Sequence, residues 1–484
     1  MKRSTVVILA LTVAVVVATI YTVMNRPPAA DLSLGEQTLQ ILENGGCISC
    51  HSSDPELPFY ANMPLAGDLV QEDVMAGYRA YDITPLVSAL ESGSMPNPVD
   101  VAKVEKVAMD KSMPLAKYYL MHWGSQMTNA KRDVVIKWAR SYRETYYDDG
   151  LAELHAGEPV RPIAEALPVD ARKVLLGKEL YHDVRLSGDN TVSCASCHGL
   201  ETAGVDNKQY SEGVQGQKGG VNAPTTFNAV YNFVQFWDGR AATLADQAAG
   251  PPLNPVEMAS SSFDEIIAKL AADKHYVEAF AQVYPDGITQ ANITDAIEGF
   301  EMTLLTPNSP FDKYLRGDNN AISAEAKQGY ELFKEYSCAT CHVGANLGGE
   351  SYELMGIYHD YFADRDADKE LQHQPNVEDN GRNKETKLER DIHRFKTPGL
   401  RNVELTWPYF HDGTRQTMEE AVRDMAYYQV DKRLNEQEIN DIVAFLRTLT
   451  GEYQGKKLTT PYEYGVTLGA DHDHHHHDHD HDHE

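Results

Sequence analysis

The chain opens on Lys2 and Arg3 and then runs through residues 5–24 without a charge, in a stretch rich in Val, Ala, Ile and Leu. At about 1.5 Å of rise per residue, a helix of that length crosses a hydrocarbon core about 30 Å thick. A cleaved signal peptide is the alternative, but its apolar region is shorter, roughly 7 to 15 residues, and ends at small residues. Asn25-Arg26-Pro27-Pro28 is a poor site of that kind. Lys2 and Arg3 assign the leading end to the cytoplasm, with Arg26 weakening the asymmetry, so the body is expected beyond the inner membrane.

Past that run the apolar positions take helical spacing. Three segments carry a glycine with large side chains three and four positions on: Gly35, Thr38, Leu39; Gly177, Leu180, Tyr181; Gly329, Leu332, Phe333. Each trio shares a helix face, and the glycine admits a second helix at close range, which offsets its propensity cost of about 1 kcal/mol. Amphipathic helices are predicted around 134–142, 293–305 and 436–449. The last is the clearest, because Asn435 caps it, Glu438 completes a capping box, and Ile439, Ile442, Val443, Leu446 and Leu449 form one apolar stripe.

Between each glycine helix and its closing helix lies one Cys-x-x-Cys-His motif: Cys47, Cys50 and His51; Cys194, Cys197 and His198; Cys338, Cys341 and His342. The near-constant interval marks a threefold internal repeat. The chain has 6 cysteines, and all fall in these motifs. In such a motif two thiols join the vinyl groups of one haem and the adjacent His binds the iron. Disulfides or a zinc ribbon would use the cysteines but leave every following His unexplained. A thioredoxin-like motif needs a βαβ frame that is absent here. The expectation is three covalently bound c-type haems in a mainly α fold: three consecutive cytochrome c-like haem domains behind one N-terminal transmembrane helix. Polar and Pro-rich joints divide the chain into an anchor at 1–26, haem units at 27–160, 161–315 and 316–455, and a tail at 456–484.

Composition narrows the partners. With 43 basic against 72 acidic residues and a net charge of -29, the chain repels nucleic-acid phosphates. The acidic balance suits a basic redox partner, or simply solubility. Eight His are interleaved with Asp in 471–484, a tract that cannot form a core and is expected to be disordered, with or without weak binding of zinc, copper or nickel.

Longer stretches carry a resemblance. Leu176-Gly177-Lys178-Glu179-Leu180, Gln235-Phe236-Trp237-Asp238-Gly239-Arg240, the run 247–257, Thr306-Pro307 through Phe311-Asp312, and Pro408-Tyr409-Phe410-His411 resemble the bacterial dihaem cytochrome c peroxidases over residues from about 165 to 455. The extra haem unit behind an apolar helix is similar to the membrane-anchored trihaem quinol peroxidases of that family. The resemblance implies an enzyme reducing hydrogen peroxide to water at the haem on Cys194 and Cys197, with electrons from quinol or a small cytochrome. It makes Glu257 the acid-base group, Gln247 the pocket amide and Trp237 a bridge between two haems. Glu257 would otherwise be an exposed loop carboxylate and Trp237 a packing residue.

The same resemblance makes Met425 the axial ligand of the third haem, where relatives that oxidise protein side chains carry Tyr; helix packing is the competing reading. It makes Asn222, Thr406 and Pro408 ligands of one calcium ion, through one side chain and backbone carbonyls. Many relatives block the peroxidatic iron with a His for which Val214 stands here, and no His occurs in 199–220. The middle haem is therefore expected to be open without reductive activation. Met113, followed by Pro114, is the chosen sixth ligand of the first haem, with His122, Met63 and Met95 as alternatives. Rival functions are a pure electron-transfer cytochrome, disfavoured by Glu257 with Gln247, and a protein-oxidising or oxygenase enzyme, disfavoured by Met425.

Overall fold

The computed structural model describes residues 3–460 apart from 56, 58, 65, 148–149, 370 and 372–374, so the His-rich tail lies outside the described residues. Helix α1 (Arg3–Met24) is exposed from Val6 to Met24, and that segment is long and apolar enough to cross a membrane. The rest is mainly helical, with two short antiparallel strand pairs: Tyr352–Leu354 with Arg394–Lys396, and Glu452–Tyr453 with Lys456–Lys457.

Three apolar cores surround the three motifs. The first joins α2 (Leu34–Asn44), α3 (Pro98–Asp110) and α4 (Asn129–Tyr146) through Ile41, Val101, Val135 and Trp138. The second joins α5 (Ala171–Tyr181) to α6 (Gln290–Glu301), and the third joins α7 (Ala324–Glu335) to α9 (Glu436–Arg447), with α8 (Met418–Val430) alongside. Each α9 feature read from the sequence is present: Asn435 caps the helix, Glu438 closes the capping box, and the five stripe residues are buried.

Glycine does what the repeat predicts in two of the three pairs. A Cβ at Gly177 would collide with the Ala296 carbonyl oxygen, and one at Gly329 with that of Asp441, so α5 crosses α6 and α7 crosses α9 backbone to backbone. Gly35 differs: the nearest atoms to a Cβ there are Leu90 Cδ2 at 3.8 Å and Trp138 Nε1 at 3.9 Å, ordinary contact distances. The closing helix predicted at 293–305 ends at Glu301. Leu304 and Leu305 stay buried beyond it because Asn228 captures the chain, its N–H donating to Leu304 O at 2.8 Å while its Oδ1 accepts from Thr306 N at 3.0 Å.

The first core docks on the third. Val99 and Ala102 of α3 pack on Val343, the residue after His342. Lys103 Nζ pairs with Glu353 at 2.8 Å, and Asn97 donates to Glu350 O at 2.8 Å. Val160 joins the core around the Cys338 motif together with Phe311 and Leu315.

Candidate haem sites and peroxide pocket

All three histidines are held the same way. Nδ1–H of His51 donates to Tyr81 O at 3.1 Å, that of His198 to Gly204 O at 3.2 Å, and that of His342 to Leu347 O at 2.9 Å. A carbonyl on Nδ1 fixes the tautomer and leaves the Nε2 lone pair free to bind a metal. Burial holds each imidazole below its ordinary pKa, so the neutral, ligating form dominates.

None of the six cysteines is in a disulfide. Burial pushes their thiols up, Cys47 and Cys197 to about 11 and Cys194, Cys338 and Cys341 to about 12. Redox-active Cys-x-x-Cys pairs have depressed values, so this environment is the wrong one for thiolate exchange. Two buried thiols beside an oriented, neutral His are a donor set that fits a covalently attached haem.

Around the Cys194 motif the structure gathers several of the residues singled out above. The short helix Leu244–Ala248, capped by Thr243 and Asp246, carries Gln247 half-buried. Asn254 Nδ2 donates to Glu257 Oε1 at 2.6 Å. Glu257 is among the charges that raise the Cys194 and Cys197 thiols. Burial raises its pKa, against the pull of Arg240 and Asn254. Ala248 and Met258, the neighbours of Gln247 and Glu257, share one core cluster with Val214. Val214 is buried, and its N–H donates to Glu257 O at 2.9 Å. The loop without histidine is thus stitched onto the strand of chain that presents the carboxylate.

Trp237 packs against a separate cluster of Tyr361, Phe362, Phe395 and Tyr428. Its Nε1–H donates to Asn222 O at 2.9 Å, and its ring stands edge-on to His411 and Phe395, with centroids 6.4 and 6.5 Å away. Asn222 N–H donates to His411 O at 2.8 Å, while Asn207 Nδ2 donates to Leu405 O and Trp407 O at 3.0 and 2.8 Å. These bonds bring Asn222 to the segment holding Thr406 and Pro408. Asn222 Nδ2 donates to Lys208 O at 2.9 Å.

Met425 sits on α8 half-buried and outside the third apolar cluster. Near the first motif, Met113 is half-buried, whereas Met63 and Met95 are exposed. His122 has both nitrogens engaged, Nδ1 with Tyr118 O at 3.0 Å and Nε2 with Tyr60 OH at 2.6 Å.

Two features were not read from the sequence. Arg365, fully buried, binds Asp379 and Asp412 at 2.9 Å each, and His411 Nε2 also binds Asp379. This charged knot backs Trp237 through His411. Glu301 is buried beside Tyr181 and Cys194, and burial pushes its carboxyl up to about 8.

Known proteins match this arrangement. Residues 6–141 match a haem-binding domain, residues 171–320 the di-haem cytochrome c peroxidase family and residues 326–450 cytochrome c. The cytochrome c peroxidase Ccp of Escherichia coli (strain K12) is 47% identical over 436 residues, covering 90% of each chain. The cytochrome c551 peroxidase of Nitrosomonas europaea is 45% identical over 305 residues, 63% of this chain and 87% of its own. A solved MauG-like protein associated with microbial copper homeostasis aligns at TM-score 0.52 and 28% identity, over 60% of this chain and 93% of its own. The chain belongs to the di-haem cytochrome c peroxidase family. It is a haem-dependent peroxidase, an oxidoreductase.

Proposed function

We propose that this protein is held on the periplasmic face of an inner membrane by α1, carries three c-type haems on Cys47 and Cys50, Cys194 and Cys197, and Cys338 and Cys341, and reduces hydrogen peroxide with electrons from quinol or a small cytochrome. The reaction is H₂O₂ + 2 e⁻ + 2 H⁺ → 2 H₂O. The middle haem supplies an open iron position and the electrons. The protein supplies proton movement and orientation. Glu257 takes the proton from the inner peroxide oxygen and returns it to the outer one, so that the O–O bond breaks with water as the leaving group. Asn254 fixes the carboxylate, and Gln247 donates to the bound peroxide.

His51, His198 and His342 would each hold one haem iron, with Met425 as a further ligand to the third and Met113 to the first. Trp237 couples the second and third haems. Asn222, with the carbonyls of Thr406 and Pro408, holds one calcium ion across the same seam. The docking of α3 beside Val343 favours a route from the first haem to the third and then to the second. Val214, in place of a blocking His, favours turnover without prior reduction.

The observation that carries this reading is Glu257, oriented by Asn254, tied through its carbonyl to Val214, and close enough for its charge to act on Cys194 and Cys197. Peroxide turnover by the haem-loaded protein, driven separately by a reduced quinol and a reduced cytochrome, tests it together with Glu257→Gln. The expected result is three haems per chain, a high-spin middle haem in the oxidised protein, and turnover that collapses in the variant. Retained turnover in Glu257→Gln, or every iron capped by two protein ligands, would overturn it.

A further inference from the structure

The end of α1 is locked to the first haem unit. Asn25, 4% exposed, donates through Nδ2 to Tyr21 O at 2.9 Å and to Trp123 O at 2.7 Å, and its Oδ1 accepts from Gln126 N at 2.8 Å. Met24 packs so closely on Gly124 that a Cβ there would lie 2.9 Å from its Cε. The unit therefore has a fixed height above the apolar span, and Trp123, 59% exposed, stands where aromatic side chains anchor a protein at the membrane surface.

At this junction lies a cavity of about 940 Å³, within the size range of small-molecule sites. Val23, Met24 and Ile41 give it apolar walls, and Gln40, His122 and Lys131 give it polar groups. Lys131 is 4% exposed and has neither a carboxylate nor a side-chain hydrogen-bond partner among the described residues. A buried ammonium without a partner is costly, so the position needs a ligand or a function. The far wall is one layer from the first motif: Gln40 and Ile41 lie on α2, which runs through Gly45 and Gly46 directly into Cys47, and Ile41 shares a core with Cys47. Tyr60, bonded to His122, acts electrostatically with Cys50.

We propose that this cavity binds and oxidises a membrane quinol, with the ring over Ile41 between Lys131 and His122 and the isoprenoid tail leaving past Val23 and Met24 into the bilayer. The assignment rests on the reading that quinol is an electron donor. Quinol loses two electrons and its two hydroxyl protons to become quinone, and peroxide gains the equivalent two electrons and two protons to become two waters, so QH₂ + H₂O₂ → Q + 2 H₂O balances. An apolar lobe continuous with the membrane span, ending at polar groups beside the first motif, matches a molecule with a long hydrocarbon tail and a hydrogen-bonding ring. Burial also depresses the Lys131 pKa.

The test uses the full-length, haem-loaded protein in detergent and a fluorescent hydroxyquinoline N-oxide as quinol mimic. Ala29→Trp fills the cavity from its exposed rim, and Lys131→Met removes the ammonium at similar volume. Both are expected to weaken the mimic at least about ten-fold and to raise KM for a short-chain quinol more than they lower kcat, while Ser92→Trp, on a separate groove, leaves binding unchanged. Wild-type affinity in both cavity variants overturns the site and leaves the quinol reading standing. Displacement of the mimic by phosphatidylglycerol vesicles but not by short-chain quinol makes it a lipid site and also overturns the proposal. A wild-type protein that neither binds the mimic nor turns over with quinol ends the donor reading itself.

Discussion

Lys103 Nζ lies 2.8 Å from Oε1 and 2.9 Å from Oε2 of Glu353, and this ammonium helps tie the first Cys-x-x-Cys-His unit to the third. The pair sits between two motifs. Lys103 lies over the Tyr81 ring, 5.0 Å from its centroid, and the Tyr81 carbonyl holds His51; Glu353 acts electrostatically on Cys341. Burial disfavours the Lys103 charge, but Glu353 outweighs it and holds the ammonium above its ordinary pKa.

Breaking that pair leaves one charge buried and alone, which costs more than the pair itself contributes. Lys103→Met is expected to lower the stability of the docked arrangement by about 2 to 3 kcal/mol, read as an earlier first transition in thermal unfolding of the haem-loaded protein. Lys103→Met with Glu353→Met should recover most of the loss, because no unpaired charge remains. A double variant no better than the single one would show that the contact holds the units by packing rather than by charge.

Asn254 tunes Glu257. Its amide donates to the carboxylate, and such a bond favours the ionised form. In Asn254→Ala the Glu257 pKa should therefore rise further above its ordinary range. If Glu257 must be ionised to take the peroxide proton, activity falls as pH drops through that value. The acid limb of the kcat/KM profile should accordingly move to higher pH in Asn254→Ala and vanish in Glu257→Gln, with a loss of about 10²- to 10⁴-fold at the optimum. An acid limb unmoved by Asn254→Ala assigns that limb to another group.

Gly329 and Gly35 separate the two ways a glycine enters a helix. Gly329→Ala pushes a methyl group into the Asp441 carbonyl and must part α7 from α9, at a cost of about 3 kcal/mol or more. Gly35→Ala meets only side-chain atoms at 3.8 and 3.9 Å, and the change should be neutral or stabilising by up to about 1 kcal/mol. Thermal unfolding of both variants checks the contrast. An equal loss at the two positions would mean that all three helix pairs cross alike.

That contrast also marks how far the sequence could be read. Local features were legible: the apolar run ending at Met24, the Asn435 cap with Glu438, and three Cys-x-x-Cys-His motifs, each coded within a few residues. The end of α6 was not, because Leu304 and Leu305 continue the helical apolar pattern while Asn228, distant in sequence, pulls the chain out of the helix. Charged contacts between residues distant in sequence left no trace at all. Lys103 with Glu353, and Arg365 with Asp379 and Asp412, are ordinary charged residues until the fold buries them together. The cavity beside Lys131 was equally hidden, since Asn25-Arg26-Pro27-Pro28 reads as a poor cleavage site, and only the structure shows Asn25 fastened to Trp123 and Gln126.

Asp100, on α3 near the same seam, makes stability depend on pH in the direction opposite to most carboxylates. Burial is the main cause of a pKa pushed up to about 6 from 3.8; the Tyr81 hydroxyl and Lys103 pull it back, while Glu353 and Asp82 push it further up. The folded chain therefore holds a proton that the unfolded chain has released between about pH 4 and pH 6, and the stability that proton confers is lost as pH rises through that window. Asp100→Asn keeps the neutral form at every pH. The variant should match the parent near pH 4 and exceed it by about 2 to 3 kcal/mol above pH 7. Urea unfolding of both proteins across this range, followed by far-UV circular dichroism, measures the difference directly. A variant less stable than the parent at neutral pH would mean that Asp100 is held ionised by Lys103, and that the charge cluster of this seam is a three-member network.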